Sequence, residues 1–242
     1  TRVGKIILKQ AAEKIQRVTM ELSGHAPFIV HADANVEKAT DMAMAAKYRN
    51  NGQVCISPSR FYIHESKKEQ FTKSFVDKTL KLKIGNGMDK DVQLGPITTK
   101  KRLDEIEKLV EKTKKEGGKI LCGGKRPSEF NKGYFYEPTV FDNVKDNFTI
   151  MTEEPFGPLT PLLTFNNFDD VIKRANNQVA GLASYVCTNS NELANKTSEA
   201  LETGMVAVNT PFISNAETPF GGIKQSGYGR EGGSMGIKDY LN

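Results

Sequence analysis

Short β-type runs alternate with amphipathic helical runs along this chain, and that alternation restricts its fold more than any other feature. The spacing predicts a helix over residues 1–14 capped by Thr1, with Val3, Ile6, Ile7, Ala11 and Ile15 on one face. A strand follows over 17–22, where Val18, Met20 and Leu22 alternate with polar residues. Further strands are expected at 27–30, 61–64, 120–122, 138–141, 159–165, 183–187 and 205–208. Helices are expected at 36–48 (Ala39, Met42, Ala43 and Ala46 inward), 67–80, from Thr98 or Thr99 to about 116, 169–176 and 191–202. Each element has one apolar side to bury, so strand–helix alternation indicates an α/β fold, a sheet with helices on its faces.

Composition narrows the functional classes. With 242 residues, 38% of them hydrophobic, the chain can build one large core or two smaller ones. The net charge of +5 arises from basic residues scattered along amphipathic runs such as 67–83 and 100–119. Scattered charge of this kind is a solvated face, and no basic block is interleaved with aromatics, so nucleic-acid binding is not expected. Cys55, Cys122 and Cys187 lie far apart with no C-x-x-C pair, which fits a reducing, cytoplasmic setting. His25, His31 and His64 lack metal-ligand spacing, and no metal is expected. No apolar run is long enough to span a bilayer, and no signal peptide is visible.

Two loops stand out. In residues 49–60, Cys55 lies between a helical run and a strand, with Gly52 three residues before it and Pro58 three after. Gly admits backbone conformations closed to other residues and Pro fixes φ, so the loop can hold a thiol rigidly at a cleft edge. Taken alone, such a cysteine is equally a small buried hydrophobe. Glu21 stands at a strand end beside Ser23-Gly24, a place where carboxylates are often merely solvated but where ligands also sit in α/β proteins. Two further stretches are stiff: Glu153-Glu154-Pro155-Phe156-Gly157-Pro158, and Pro219-Phe220-Gly221-Gly222-Ile223-Lys224-Gln225-Ser226-Gly227, which reads as a tight backbone wall. The G-x-G-like stretch 227–233 follows no predicted strand and carries little weight.

Taken in order, Glu21-Leu22-Ser23-Gly24-His25, Gly52-Gln53-Val54-Cys55, Glu153–Pro158 and Pro219–Gly227 resemble the NAD(P)-dependent aldehyde dehydrogenase superfamily, closest to succinate-semialdehyde dehydrogenases and their oxo-acid relatives. The resemblance covers essentially the whole chain. It implies a mostly parallel sheet with helices on both faces, and Cys55 as nucleophile with Glu21 as general base. It also implies Glu154, Phe156 and Leu22 at the nicotinamide end of NAD or NADP. Arg49 and Ser214 match residues that grip the far carboxylate of the aldehyde. A guanidinium forks onto a carboxylate in two hydrogen bonds, although Arg49 could equally pair with a local acid. Two departures are Ser23, where the family usually has Gly, and Ser57, where many succinate-semialdehyde enzymes carry a second Cys.

The resemblance further implies three regions: residues 1–24 as the last helix and strand of a coenzyme domain, 25–225 as the catalytic domain, and 226–242 as a C-terminal helix leading to an oligomerisation strand. A homodimer or homotetramer is expected of the parent protein, with a small aldehyde as its substrate and no membrane or nucleic-acid partner. The expectation for these 242 residues alone is weak dinucleotide binding and little or no turnover. Two other readings stay open: a cysteine hydrolase pairing Cys55 with a histidine, and a non-catalytic relative.

Overall fold

The computed structural model describes residues 1–241; Asn242, at the end of the expected C-terminal region, lies outside them. Seven strands form the main sheet: β2 (Ala26–Val30), β3 (Pro58–His64), β4 (Lys119–Cys122), β5 (Thr139–Asp142), β6 (Leu159–Phe165), β8 (Ala183–Cys187) and β9 (Met205–Val208). Their spatial order is β4-β5-β6-β3-β2-β8-β9. All neighbours run parallel except β4, which pairs antiparallel with β5 at one edge. Central strands buried on both faces read as continuous apolar runs, and every residue of β2 and β8 is buried.

Helices cover both faces. α2 (Val36–Tyr48) and α3 (Glu65–Thr79) pack on one side, over a ladder of rings: Phe28 on Phe61 at 5.1 Å, and Phe75 against Phe61, Phe71 and Tyr48. α4 (Lys100–Lys115), α5 (Thr149–Thr152) and α6 (Phe168–Asn176) pack on the other, through Leu103, Ile106, Val110, Ile150 and Val171. Caps fix where these helices begin: Asn35, Thr99 and Asn167 each accept a backbone N–H three residues on. α7 (Asn191–Ala200) completes the set, capped by Ser190.

The first helix differs from the expectation. α1 (Arg2–Glu13) forms, but Thr1 makes no capping bond; its hydroxyl lies 2.9 Å from that of Ser23. Its buried residues are Gly4 and Ala11, not the isoleucine row, because the helix rests on Leu22. A Cβ on Gly4 would come within 2.8 Å of Leu22, so the helix approaches by its smallest residues and Val3, Ile6 and Ile7 face outward. The expected strand over 17–22 is reduced to β1 (Met20–Glu21). Two-residue strands link distant segments: β1 with β11 (Gly227–Tyr228), and β7 (Ala180–Gly181) with β10 (Ile223–Lys224). Beyond β11 the chain makes only short helical turns, α8 (Gly233–Gly236) and a 3-10 turn over Ile237–Tyr240. Among the described residues no helix is long and apolar enough to cross a membrane.

Candidate active site

Three loops enter the sheet at the same end. Residues 22–25 lead into β2, 49–57 into β3, and 153–158 into β6. These strands are adjacent and parallel, in the order β6-β3-β2, so their amino ends lie side by side and the loops must meet there. Ligands of open α/β sheets usually sit at the carboxyl ends; here the cleft opens at the amino ends instead. Its volume is about 770 Å³, and Glu21, Leu22, Arg49, Cys55, Glu154 and Phe156 all line it.

The loops touch through backbone. A Cβ on Gly24 would lie 2.3 Å from the Cys55 carbonyl oxygen, and one on Gly52 at 2.3 Å from that of Gly157. Only glycine allows either approach. Asn50, Asn51 and Gly52 take consecutive left-handed conformations (φ 49, 59 and 72) just before the thiol, a turn that Asn and Gly tolerate best. Gln53 fastens that turn by donating to the Asn50 carbonyl at 3.3 Å and accepting the Thr98 N–H at 2.9 Å. The Tyr185 hydroxyl donates to the Ile56 carbonyl at 2.8 Å.

The Glu21 loop is held from the far end of the sequence. Leu22 N–H donates to the Ser226 carbonyl at 3.0 Å, and the fully buried Ser226 hydroxyl donates to the Ser23 carbonyl at 2.7 Å while accepting from Gly181 N–H at 2.9 Å. The wall expected at 219–227 is confirmed at its centre: a Cβ on Gly204 would meet the Gly221 carbonyl oxygen at 2.0 Å.

The charges crowd one another. Burial, then the neighbouring Glu21, then Glu154, push the Cys55 thiol up to about 12. Burial pushes Glu154 up to about 7, while the Gly24 N–H at 3.4 Å and the Arg102 guanidinium pull it back. Glu21 Oε1 is buried with no hydrogen-bond partner. A partnerless buried acceptor is unfavourable unless something arrives to donate to it. Phe156 sits at φ 42 with the Arg102 guanidinium 5.7 Å above its ring. Strain of this kind persists only where the surroundings impose it. Arg49 is exposed and forms no ion pair among the described residues, so the local-acid alternative has no partner to offer.

Ser214 is not brought into this cleft; it is exposed on the segment beyond β9. None of the three histidines lines it either. His25 is buried with Nδ1 2.6 Å from the Ser59 hydroxyl, and His31 lies 3.0 Å from the Thr197 hydroxyl. A Cys–His hydrolase therefore has no base beside the thiol. Arg102 also lines the cleft but was not marked by the sequence, where it reads as one more charge on an amphipathic helix; Asn50 and Gln53 line it too, from the marked loop but with no role assigned to them there. Among the described residues no group of three or more His, Cys, Asp or Glu side chains could hold a metal ion.

Residues 1–242 match the model of the aldehyde dehydrogenase family. The chain belongs to the aldehyde dehydrogenase family. A probable succinate-semialdehyde dehydrogenase [NADP(+)] of Sinorhizobium fredii is 40% identical over 242 residues, 100% of this chain and 49% of that protein. A glutarate-semialdehyde dehydrogenase of Pseudomonas putida is 41% identical over 241 residues, again 100% of this chain and 49% of its own length. The crystal structure of an Escherichia coli NADP-dependent enzyme superposes with a TM-score of 0.97 at 40% identity, covering 100% of this chain and 50% of that one. This aldehyde dehydrogenase chain thus spans about half the length of the curated relatives it matches.

Proposed function

We propose that this chain carries the acyl-transfer chemistry of an NAD(P)-dependent oxidation of an aldehyde with a distal carboxylate, succinate semialdehyde first. The observation that carries the reading is the convergence on one cleft of Cys55 and the Glu21 carboxylate, whose Oε1 is buried without a partner. Cys55, as thiolate, adds to the aldehyde carbon, forming a C–S bond and an oxyanion near the Cys55 backbone N–H. Burial and the two carboxylates hold the Cys55 thiol in its protonated form, so the thiolate must form before attack. A bound nicotinamide supplies the hydride acceptor that turns the adduct into a thioester. Glu21 then takes a proton from water; the water oxygen attacks the thioester carbon, the C–S bond breaks, and acid and thiolate separate.

The site residues fit such a cofactor. Glu154 receives one N–H, from Gly24, and an ionised carboxylate has capacity for ribose hydroxyls besides. Phe156 and Leu22 supply apolar surface beside it. NADP is favoured by the names of the relatives, and NAD remains part of the reading. Arg49, at the cleft and without an ion pair among the described residues, would select the distal carboxylate. The glutarate-semialdehyde relative makes a longer oxo-acid aldehyde the alternative substrate. Assembly into dimers or tetramers belongs to the same proposal.

The test needs neither cofactor nor aldehyde. A p-nitrophenyl ester should acylate Cys55, giving a burst of nitrophenolate and then turnover limited by Glu21-assisted hydrolysis. Cys55→Ser should abolish the burst, and Glu21→Gln should leave it while trapping the acyl group on Cys55, visible by mass spectrometry. The mono-p-nitrophenyl ester of succinic acid should be preferred over the acetate, and Arg49→Ala should erase that preference. Acylation elsewhere, or unchanged hydrolysis in Glu21→Gln, would sink the assignment.

A further inference from the structure

A second cavity, of about 530 Å³, lies between the later turns of α2, the end of α3 and the loop that follows α3. Arg49 lines both this cavity and the cleft that holds Cys55. Much of the second cavity is hydrocarbon: Met44, Ala45 and Leu82, together with Tyr48. The Tyr48 hydroxyl lies 3.2 Å from that of Thr79 and is engaged within the protein, so this residue offers the groove ring surface.

The polar groups of the groove are mostly donors. Asp41 is its one acid, and Lys78 already occupies it: that ammonium bonds to Asp41, to Glu37 at 2.7 Å and to the Thr40 hydroxyl at 3.0 Å. Arg49 and Lys81 are exposed, and neither forms an ion pair among the described residues. Gln93 accepts the Lys83 N–H through Oε1 at 3.1 Å, which leaves its NH2 group to donate. Two like charges on one groove repel until an anion enters. Apolar surface edged by two unpaired cations and an amide donor is complementary to a hydrocarbon chain that ends in a carboxylate.

We propose that this groove is a second tail subsite, which takes aldehydes whose distal carboxylate sits on a chain too long to stop at Arg49. The methylenes lie along Met44, Ala45, Tyr48 and Leu82, and the carboxylate meets Lys81 and Gln93. This rests on the reading of Arg49 as the residue that meets the distal acid of succinate semialdehyde. Arg49 is then the wall between two subsites: short acids end at it, and longer ones run past it. The reaction at Cys55 is the same for both, so Lys81 and Gln93 set specificity and take no part in the chemistry.

The test compares p-nitrophenyl monoesters of succinic and suberic acids with p-nitrophenyl octanoate, reading the rate of Cys55 acylation in the 242-residue chain below saturation. Suberate should outrun octanoate, which matches it in length but lacks the terminal acid. Lys81→Ala should lower the suberate-to-octanoate ratio roughly twofold to fivefold, the range of an exposed ion pair, and Lys81→Glu should lower it further. The suberate-to-succinate ratio should fall with it. Lys173→Glu makes the same charge change on α6, over the opposite face of the sheet, and should leave both ratios unchanged. A second readout needs no acylation. In Cys55→Ser, free suberate should protect Lys81, and not Lys173, from acetic anhydride, followed by mass spectrometry. Protection of Lys81 in a chain whose Cys55 resists every ester would support the groove while the catalytic reading fell. Acylation of Cys55 with no protection, and with ratios unmoved in Lys81→Glu, would overturn the groove and leave the catalytic reading standing. Equal falls in Lys81→Glu and Lys173→Glu would also overturn it, as an effect of net charge.

Discussion

Glu154 is half-buried at the cleft, lies near Glu21, and takes up its proton at a higher pH in the folded chain than in the unfolded one. A raised carboxyl stabilises the fold below its unfolded value of 4.5, and that stability is lost as pH climbs through about 7. Lys47 works in the opposite window: its depressed midpoint removes stability as pH falls from 10.5 toward about 7. The two together place a dip in stability near neutrality. Glu154→Gln should therefore lose less stability between pH 5 and pH 8 than the parent, measured by urea unfolding at both values. An equal loss in both proteins would show that Glu154 is not dry. At the residue scale, the sequence marked most of the side chains that line the cleft and missed others. Cys55, Glu21, Leu22, Glu154, Phe156 and Arg49 surround one cleft, and their motifs already carried that order. Nor was the burial of Lys47 legible, because a lysine in a last helical turn ordinarily points to water and favours the helix dipole. That burial is decided by what packs over it, a matter of tertiary structure alone.

At the scale of elements, the strands at 159–165, 183–187 and 205–208 were legible to the residue: the first two are buried on both faces and the edge strand at 205–208 is still apolar throughout. Thr99 and Asn35 likewise announced their helices through capping chemistry. The two-residue strands β7, β10 and β11 left no signature, and the alternation that marked 17–22 overstated β1, since these pairings are imposed by partners distant in the chain. The turn over Arg49–Gly52 was seen only as a loop with a glycine, without its left-handed run. That run yields a prediction. Gly52→Ala meets a positive φ and the Gly157 carbonyl oxygen together, and should cost at least about 1–2 kcal/mol from the backbone conformation alone. Gly87→Ala, at a site with nothing within 4 Å and no positive φ, should be neutral or slightly stabilising. Urea midpoints of the two variants would separate the effects; a neutral Gly52→Ala would mean that the loop can shift away from β6.

At the scale of the whole molecule, the two ends of the chain meet, and both carry exposed apolar residues. β1 pairs with β11, Arg17 donates to the Leu241 carbonyl at 3.1 Å, and Thr19 donates to Asp239 at 3.0 Å, so the first twenty residues and the last fifteen lie together. These two segments carry Val3, Ile6 and Ile7, exposed by 44–57%, and Ile237, Tyr240 and Leu241, exposed by 56–84%. Single exposed apolar residues need no explanation, but several on one helix face, as on α1, form a binding or aggregation surface. These residues fall within 1–24 and 226–242, the regions that the resemblance assigned to the end of a coenzyme domain and to a helix leading to an oligomerisation strand. The isoleucine row of α1 is thus an amphipathic signal whose apolar side faces away from this core, which is why periodicity alone found the helix and misjudged what covers it. If the surface is sticky, the chain should bind the dye ANS in its native state and self-associate at tens of micromolar by sedimentation. Ile6→Glu with Ile7→Glu should reduce both while leaving the p-nitrophenyl ester burst at Cys55 intact, because α1 reaches the cleft only through Gly4 on Leu22. Dye binding and association unchanged by that double substitution would mean the outward isoleucines are incidental, and the interaction surface would have to be sought elsewhere.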